Sequence, residues 1–365
     1  MSIFDFYPGS MSKPVKILLS LSGILLVICL LGVSGFVAFT MLTEFRPPMK
    51  SKPEITGNGR PVDPSRRSFT FFTWNIGYAG LGYEMDFFYD GGKKVRPERD
   101  KCTQYFEDIK KLVTTNDSAD FIFLQEVDVH SKRAWYTDEY KGLSSALPGF
   151  SGLFTKNYDC RFVPVPLQDP MGRVVSGLAT WSRLKPESAE VHYFNAFFPW
   201  PRRLVFLKRC FVLMRFGLDN GKQLVILNTH NSAYDSTGEL RKRELAMLDS
   251  VMESEYGMGN YVIAGGDWNN NPQGFKPSTI ISGDAVTTID PVIEPGFLPG
   301  WQFIFDPSQP TNRNVDMAYE KGKTKTTIID FYVVSPNVGV TSIKTIPTGF
   351  ENSDHQPVVM GIRLK

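Results

Sequence analysis

Five short polar motifs hold the side chains of this chain that could do chemistry: Trp74-Asn75, Gln125-Glu126, Asn228-Thr229-His230, Gly266-Asp267-Trp268-Asn269 and Ser353-Asp354-His355. The first four close apolar runs that read as β-strands, and the fifth comes just before one. A fold that brought these tips to one edge would set carboxylates, amides and two imidazoles side by side. Such a set suits a hard divalent cation and a phosphate ester.

Glu126 follows the apolar run Phe121–Leu124, where a charge is costly to bury unless it is paired or holds a metal. It reads as a solvated strand end or, with the neutral oxygen of Asn75, as a ligand of Mg2+. Asp267 follows Gly265-Gly266, a pair that permits a tight turn lifting the carboxylate clear of the sheet. It reads as an Asx turn or as a general base, with Asn269 positioning the nucleophile or a phosphate oxygen. Asp330 sits inside the apolar run Ile328–Tyr332, and a partner in His355 would relieve the cost of burying it. The carboxylate would fix the tautomer of the ring and favour its charged form. That imidazolium would face an anionic transition state, and His230 would donate a second hydrogen bond. His130 and His192 lack such a setting and read as surface residues.

The ordered set, with Ile329-Asp330-Phe331 added, resembles the endonuclease/exonuclease/phosphatase superfamily across residues 68–365. Ser176–Arg183 is similar to that family's central strand. The resemblance implies a four-layer α/β sandwich and Mg2+- or Mn2+-dependent hydrolysis of phosphoesters. It implies Glu126 as the main metal ligand, helped by Asn75 and Asp354. Asp267 and Asn269 would activate and orient the water, and His355, backed by Asp330, would contact the phosphate. His230 would stabilise the transition state. The resemblance leaves the general base open between Asp267 and His355. Trp268 stands where other members often carry Phe or Leu, a change of packing.

Strands are predicted at Phe69–Thr73, Phe121–Gln125, Leu178–Trp181, Phe211–Phe216, Leu224–Asn228, Tyr261–Ala264, Thr327–Val334 and Val358–Leu364. Helices are predicted at Pro97–Val113 and Leu240–Met252, and Asp219-Asn220-Gly221 as a hairpin turn. Buried strands alternating with helices, with hairpins mixed in, predict an α/β fold of two mixed sheets flanked by helices. Tyr78–Lys94, rich in aromatics and glycines, reads as a buried loop or as a wall or lid of the site.

The sequence of 365 residues has a formal net charge of +2, which argues against a strongly basic nucleic-acid binder. Ile17–Leu42 is free of charge and, at ~1.5 Å per residue, long enough to cross a ~30 Å hydrocarbon core. It exceeds the usual apolar segment of a signal peptide, about 7–15 residues. The organisation expected is a tail (1–16), one transmembrane anchor (17–42), a Pro-rich linker (43–67) and one catalytic domain (68–365), in a membrane-anchored, bacterial-type arrangement. The Lys/Arg count favours a cytoplasmic domain, whereas a short tail before an anchor favours an extracytoplasmic one, which is the expectation. Cys102, Cys160 and Cys210 show no CxxC pair and leave open one disulfide with a thiol or three buried thiols.

The anchor, the near-neutral charge and the aromatic loop favour a lipid headgroup as substrate. The alternative is a surface nuclease, with Lys132, Arg133, Arg161, Arg173, Arg202, Arg203, Lys208 and Arg209 lining a phosphate track, unless they form a solvated face. A non-catalytic binding module is opposed by the completeness of the motif set. No protein partner is evident.

Overall fold

The computed structural model describes residues 12–116, 118–277 and 290–365. The chain divides into two compact units, Met1–Glu44 and Phe45–Lys365. In the first, helix α1 (Lys13–Leu42) takes Pro14 into its first turn, where no intrahelical N–H is lost. Its 30 residues make a rod of about 45 Å with apolar side chains on every side, long and apolar enough to cross a bilayer.

The second unit begins with β1 (Lys50–Ser51), β2 (Thr56–Gly57) and β3 (Ser68–Asn75), followed by α2 (Arg99–Thr115), β4 (Phe121–Asp128) and α3 (Glu139–Ala146). Next come β5 (Ser151–Val163), β6 (Gly172–Ser182), β7 (Ser188–Tyr193), β8 (Cys210–Gly217) and β9 (Gln223–His230). After α4 (Glu239–Gly257) follow β10 (Tyr261–Asp267), β11 (Gln302–Ile304), β12 (Asn312–Arg313) and β13 (Thr326–Thr327). The chain closes with β14 (Asp330–Val334), β15 (Val338–Thr345) and β16 (Val358–Leu364). One 7-stranded sheet has the order β1-β7-β8-β9-β10-β14-β11 and the other β15-β16-β3-β4-β6-β5-β2, while β12 and β13 form a small ribbon.

Alternation along the strands builds the layers. On β3, Phe69 and Phe71 enter the core between the sheets, with Phe121 and Phe123 of β4 and Ile226, Ile263 and Tyr332 of the facing sheet. Phe72 and Trp74 face the other way, into a cluster with Ile109 and Val113 of α2. Beyond the second sheet, Val225, Leu227, Val262 and Ala264 pack with Leu248 and Met252 of α4. The result is the expected α/β architecture of two mixed sheets with helices outside them.

Every predicted strand and helix is present, β16 with the predicted ends and the others with shifted ones, except that the run at 327–334 divides into β13 and β14. Three long strands were not predicted. In β5, Lys156, Asp159 and Arg161 interrupt the apolar pattern, and β7 and β15 carry too few apolar residues to stand out. The segment predicted as a linker also behaves differently. Residues 45–67 lie along the unit: β1 pairs with β7, β2 with β5, and Arg66 forks onto Asp120 at 2.7 and 2.6 Å. Prolines suit such edge segments as well as they suit linkers, because both lack continuous ladders. Cys102, Cys160 and Cys210 are three buried, unpaired thiols.

Candidate active site

Strand register brings the motifs together. β9 and β10 run parallel and set His230 opposite Asp267, and antiparallel β14 sets Asp330 on the other side of Asp267. In the other sheet, parallel β3 and β4 set Asn75 opposite Gln125. His355 bridges to Asn312 just before β16. Gln125 and Asn228 join the two sheets beneath the site. Gln125 Nε2 donates to Asn228 Oδ1 at 2.7 Å, and Asn228 Nδ2 donates to Ala179 O and Thr180 Oγ1, both at 3.1 Å.

Two glycines and one bulge aim the acidic groups. Gly265 and Gly266 lie within β10 rather than in a turn after it. A Cβ on Gly266 would meet Thr229 O at 2.0 Å, and the residue has φ +142, so a side chain is excluded twice. Gly77 (φ +52) plays the same part for Asp354, whose Oδ1 would lie 2.9 Å from an added Cβ. β4 slips register between Leu124 and Val127, and Glu126 within that bulge has φ +53. A bulge bends the strand and re-aims a side chain, here at the cost of a left-handed backbone.

Asp267 is the hub. Its Oδ2 accepts from Asn75 Nδ2 at 2.9 Å and lies 3.2 Å from His230 Nε2 and 3.9 Å from His355 Nε2. Its Oδ1 accepts from the Asn269 backbone N–H at 3.0 Å, and Asn269 Nδ2 donates to Asn231 O at 3.0 Å. Burial alone would raise the Asp267 pKa, but the two imidazoles outweigh it and hold the group below the usual carboxylate range. His355 Nδ1 lies 2.8 Å from Asp330 Oδ2, and Nε2 lies 3.9 Å from Asp354 Oδ2 and 3.0 Å from Asn312 Nδ2. Burial opposes a charge on His355, yet Asp330, Asp354 and Asp267 together raise its pKa well above the usual value. His230 is shifted down, by burial first and then by the charge of Arg209, which favours a neutral ring.

Across the cleft, Asp354 is pushed up to about 7 by burial and the nearby charge of Glu126, with His355 and Arg313 opposing. Glu126 is half-buried and accepts no hydrogen bond from a described residue, and its Oε1 lies 3.8 Å from His230 Nε2. Two crowded carboxylates beside the Asn75 amide, without a basic side chain to neutralise them fully, form an oxygen donor set that fits a hard divalent ion. Asn75 Oδ1 accepts from Gly77 N at 3.0 Å and keeps a second lone pair. Asp267, Asp330 and His355 also bring ligand atoms within 4.8 Å of one another and could hold an ion. The Asp330 contact engages Nδ1 of His355, however, so this trio is better suited to holding a proton.

Asn75, Glu126, His230, Asp267, Asn269, Asp354 and His355 line one cleft, together with Tyr78, Leu81, Phe87, Tyr89 and Asp90 of the aromatic loop, while Asp330 lies behind His355. Both readings of that loop therefore hold, since Tyr78, Leu81 and Phe87 are also buried. His130 is exposed as expected. His192 is not a surface residue: it is 8% exposed, stacks on Phe211 and meets Glu190 Oε2 at 3.1 Å. The proposed basic track is also altered. Lys208 and Arg209 are buried, while Lys132 pairs with Asp169, Arg133 with Asp128 and Arg173 with Asp159. The sequence reasoning missed Gly77, Asn312 and the burial of Arg133. The positive-φ backbone after Asn75 and the cross-sheet contacts have no periodic signature, although the glycine two residues past Asn75 was a signal of close approach.

A sequence model of the Endonuclease/Exonuclease/phosphatase family matches residues 72–355. Solved structures share the fold. An endonuclease/exonuclease/phosphatase from Beutenbergia cavernae DSM 12333 superposes with a TM-score of 0.52 at 18% identity, over 82% of this chain and 72% of its own. ANGEL2, a 2′,3′-cyclic phosphatase, in complex with adenosine-2′,3′-vanadate, gives 0.52 at 15% identity, over 86% and 99%. D. rerio TDP2 complexed with single strand DNA product gives 0.51 at 12% identity, over 81% and 99%. No curated protein sequence matches this chain.

Proposed function

The chain belongs to the Endonuclease/Exonuclease/phosphatase family, and from that premise we propose that it is a membrane-held, divalent-metal-dependent hydrolase of phosphoester bonds. The observation that carries this reading is Asp267, a carboxylate whose pKa is held low by His230 and His355 and that lines one cleft with Glu126 and Asp354.

Glu126 and Asp354, with Asn75 Oδ1, would hold the cation. When bound, it neutralises charge on the phosphoryl oxygens and polarises the phosphorus centre. Asp267 takes the proton of the attacking water, and Asn269 and Asn75 fix its two oxygens in direction. The raised pKa of His355 supports reading it as a cation for the developing charge on phosphate rather than as the base. A neutral His230 donates from Nε2 to Asp267, so it steadies the base rather than the phosphate. As the water oxygen bonds to phosphorus, the P–O bond to the leaving group breaks and the leaving oxygen takes up a proton from solvent in the open cleft.

For the substrate, α1 supports a phosphoester presented at a membrane, and a lipid headgroup is the first choice. A nuclease would need a continuous run of available cations near the cleft. The engagement of Lys132 and Arg173 in ion pairs and the burial of Lys208 weigh against an extended track of this kind. A binding module without catalysis is opposed by the convergence of Glu126, Asp267 and His355 on one cleft. The test is a side-by-side assay of full-length protein with Mg2+ on phospholipid and sphingolipid vesicles, plasmid DNA and a soluble phosphomonoester. Turnover of the vesicles alone supports the lipid reading, robust plasmid cleavage replaces it with the nuclease, and no turnover of any phosphoester sinks the proposal.

A further inference from the structure

Arg133 sits in a short turn (Lys132–Ala134) a few residues beyond Glu126 and is 6% exposed. Its Nε and Nη2 donate to Asp128 Oδ2 and Oδ1, each at 2.9 Å. Asp128 is itself fully buried, and its backbone N–H donates to Glu139 Oε2 at 2.7 Å. The ring of Tyr78 covers the guanidinium face, with Cζ 3.7 Å from the ring centroid. One edge and one face of the group are therefore fixed, while Nη1 has no acceptor among the described residues. Tyr78 and Arg133 line the same cleft as Glu126, Asp267, Asp354 and His355.

A guanidinium needed only to neutralise Asp128 has no reason to line a reaction cleft. Its planar fork can serve a carboxylate with one edge and present its remaining N–H groups to a second anion. The cleft also creates a demand for such a donor. A phosphoryl group brings anionic oxygens toward Glu126, Asp354 and Asp267, and of the other guanidinium groups that line the cleft Arg313 is spent on the backbone carbonyls of Leu81, Gly82, Met85, Asn314 and Met317. Arg133 stays cationic, because Asp128 and Glu126 together outweigh the cost of its burial.

We infer that Arg133 binds a non-bridging oxygen of the substrate's phosphoryl group through Nη1, with Asp128 and Tyr78 as the residues that position it. This rests on the phosphoesterase reading of the same cleft. It assigns to Arg133 a contact with one substrate rather than a place on an extended basic track. A phosphomonoester and a phosphodiester both offer the required oxygen.

The test uses full-length protein in detergent, with inorganic phosphate as the probe. Phosphate affinity is read twice, from inhibition of hydrolysis and from the rise in unfolding midpoint with phosphate. Arg133→Lys keeps a cation against Asp128 but has no second donor edge. It should bind phosphate about 10- to 100-fold more weakly, the range of a lost charge-assisted hydrogen bond. KM should rise more than kcat falls, and the Mg2+ concentration for half activation should stay within about twofold of wild type. Tyr78→Leu leaves the ion pair intact and should give a smaller loss, roughly three- to tenfold. It keeps the inference testable if the lysine variant does not fold. Unchanged phosphate affinity in either folded variant overturns the inference, as does a loss that only tracks a fall in unfolding midpoint or in Mg2+ affinity. Phosphate binding that depends on Arg133 in a protein without hydrolytic activity would sink the phosphoesterase reading and leave this one standing. Metal-dependent hydrolysis with phosphate affinity indifferent to Arg133 would do the reverse.

Discussion

Asp330 Oδ2 lies 2.8 Å from His355 Nδ1, with the carboxylate fully buried and the ring exposed only at the cleft. The strand β14 carries Asp330 from within its apolar run to the point where the chain arrives with His355 just before β16. Burial pushes the carboxyl up to about 6, and the ring opposes that shift by sharing its proton. The two residues therefore act as one unit. Asp330→Asn and His355→Ala should each lower kcat by roughly 100- to 10,000-fold, and the double variant should fall little further. Steady-state kinetics on the four proteins of the cycle checks this, and multiplicative losses would show two independent residues.

Gly266 should tolerate no side chain. Its backbone has φ +142, and a Cβ would fall 2.0 Å from Thr229 O on the paired strand β9. Gly266→Ala must separate β9 from β10 at the pair Thr229–Gly266, one residue before His230–Asp267. A loss of about 3 kcal/mol is expected from strain of this kind, with activity falling at temperatures where the variant is still folded. Denaturant unfolding of both proteins measures it, and wild-type stability in the variant would show that the strands yield without cost.

Stability should fall with rising pH through a buried glutamate away from the acidic side of the cleft. Glu244 accepts from Ser232 N at 2.8 Å and Ser232 Oγ at 2.5 Å, and burial pushes its carboxyl up to about 7 against those bonds and Arg209. A folded pKa above the unfolded one means that the folded state holds the proton more tightly. This contribution is complete below about pH 4.5 and is lost as pH rises through about 7, with an upper limit near ~3 kcal/mol. Glu244→Gln should remove the slope, so that the variant gains on wild type between pH 5 and pH 8. Parallel unfolding midpoints across that range would contradict it.

The way residues 45–67 lie along the domain changes the useful truncation. Residues 45–67 include β1 and β2 at the edges of both sheets, so cutting at 67 would strip the domain of its own strands. Removing residues 1–44 instead leaves that unit whole. If α1 holds the enzyme at its substrate, the shortened protein should lose roughly tenfold or more on vesicle lipid and nothing on a soluble phosphodiester. Equal rates of both proteins on vesicles would separate the helix from substrate choice.

The chemistry was more legible in the sequence than its framing. Asn75, Glu126, His230 and Asp267 each break an apolar run at a strand end or bulge, and a polar residue there needs a reason. All of them, with Asp354, His355 and Asn269, line one cleft, and Asp330 lies buried behind His355. What could not be read depended on partners far along the chain. Arg133 looked like a surface charge because nothing local announces that Asp128 and Tyr78 enclose it. Lys208 and Arg209 looked exposed for the same reason. β5 hid behind its polar side chains, and β1 and β2 behind their prolines, since edge strands draw their stability from a neighbour's ladder rather than from their own pattern.

The central claim is that this cleft hydrolyses phosphoesters with a divalent ion held by Glu126 and a base supplied by Asp267. The most direct measurement is the rate of hydrolysis of bis(p-nitrophenyl) phosphate against free Mg2+, for wild type, Glu126→Gln and Asp267→Asn. Wild type should show saturable activation that a chelator abolishes. Glu126→Gln should need about 10-fold or more Mg2+, and Asp267→Asn should lose roughly 1,000-fold in kcat at saturating Mg2+. Full activity in excess chelator, or wild-type kcat in Asp267→Asn, would contradict the account.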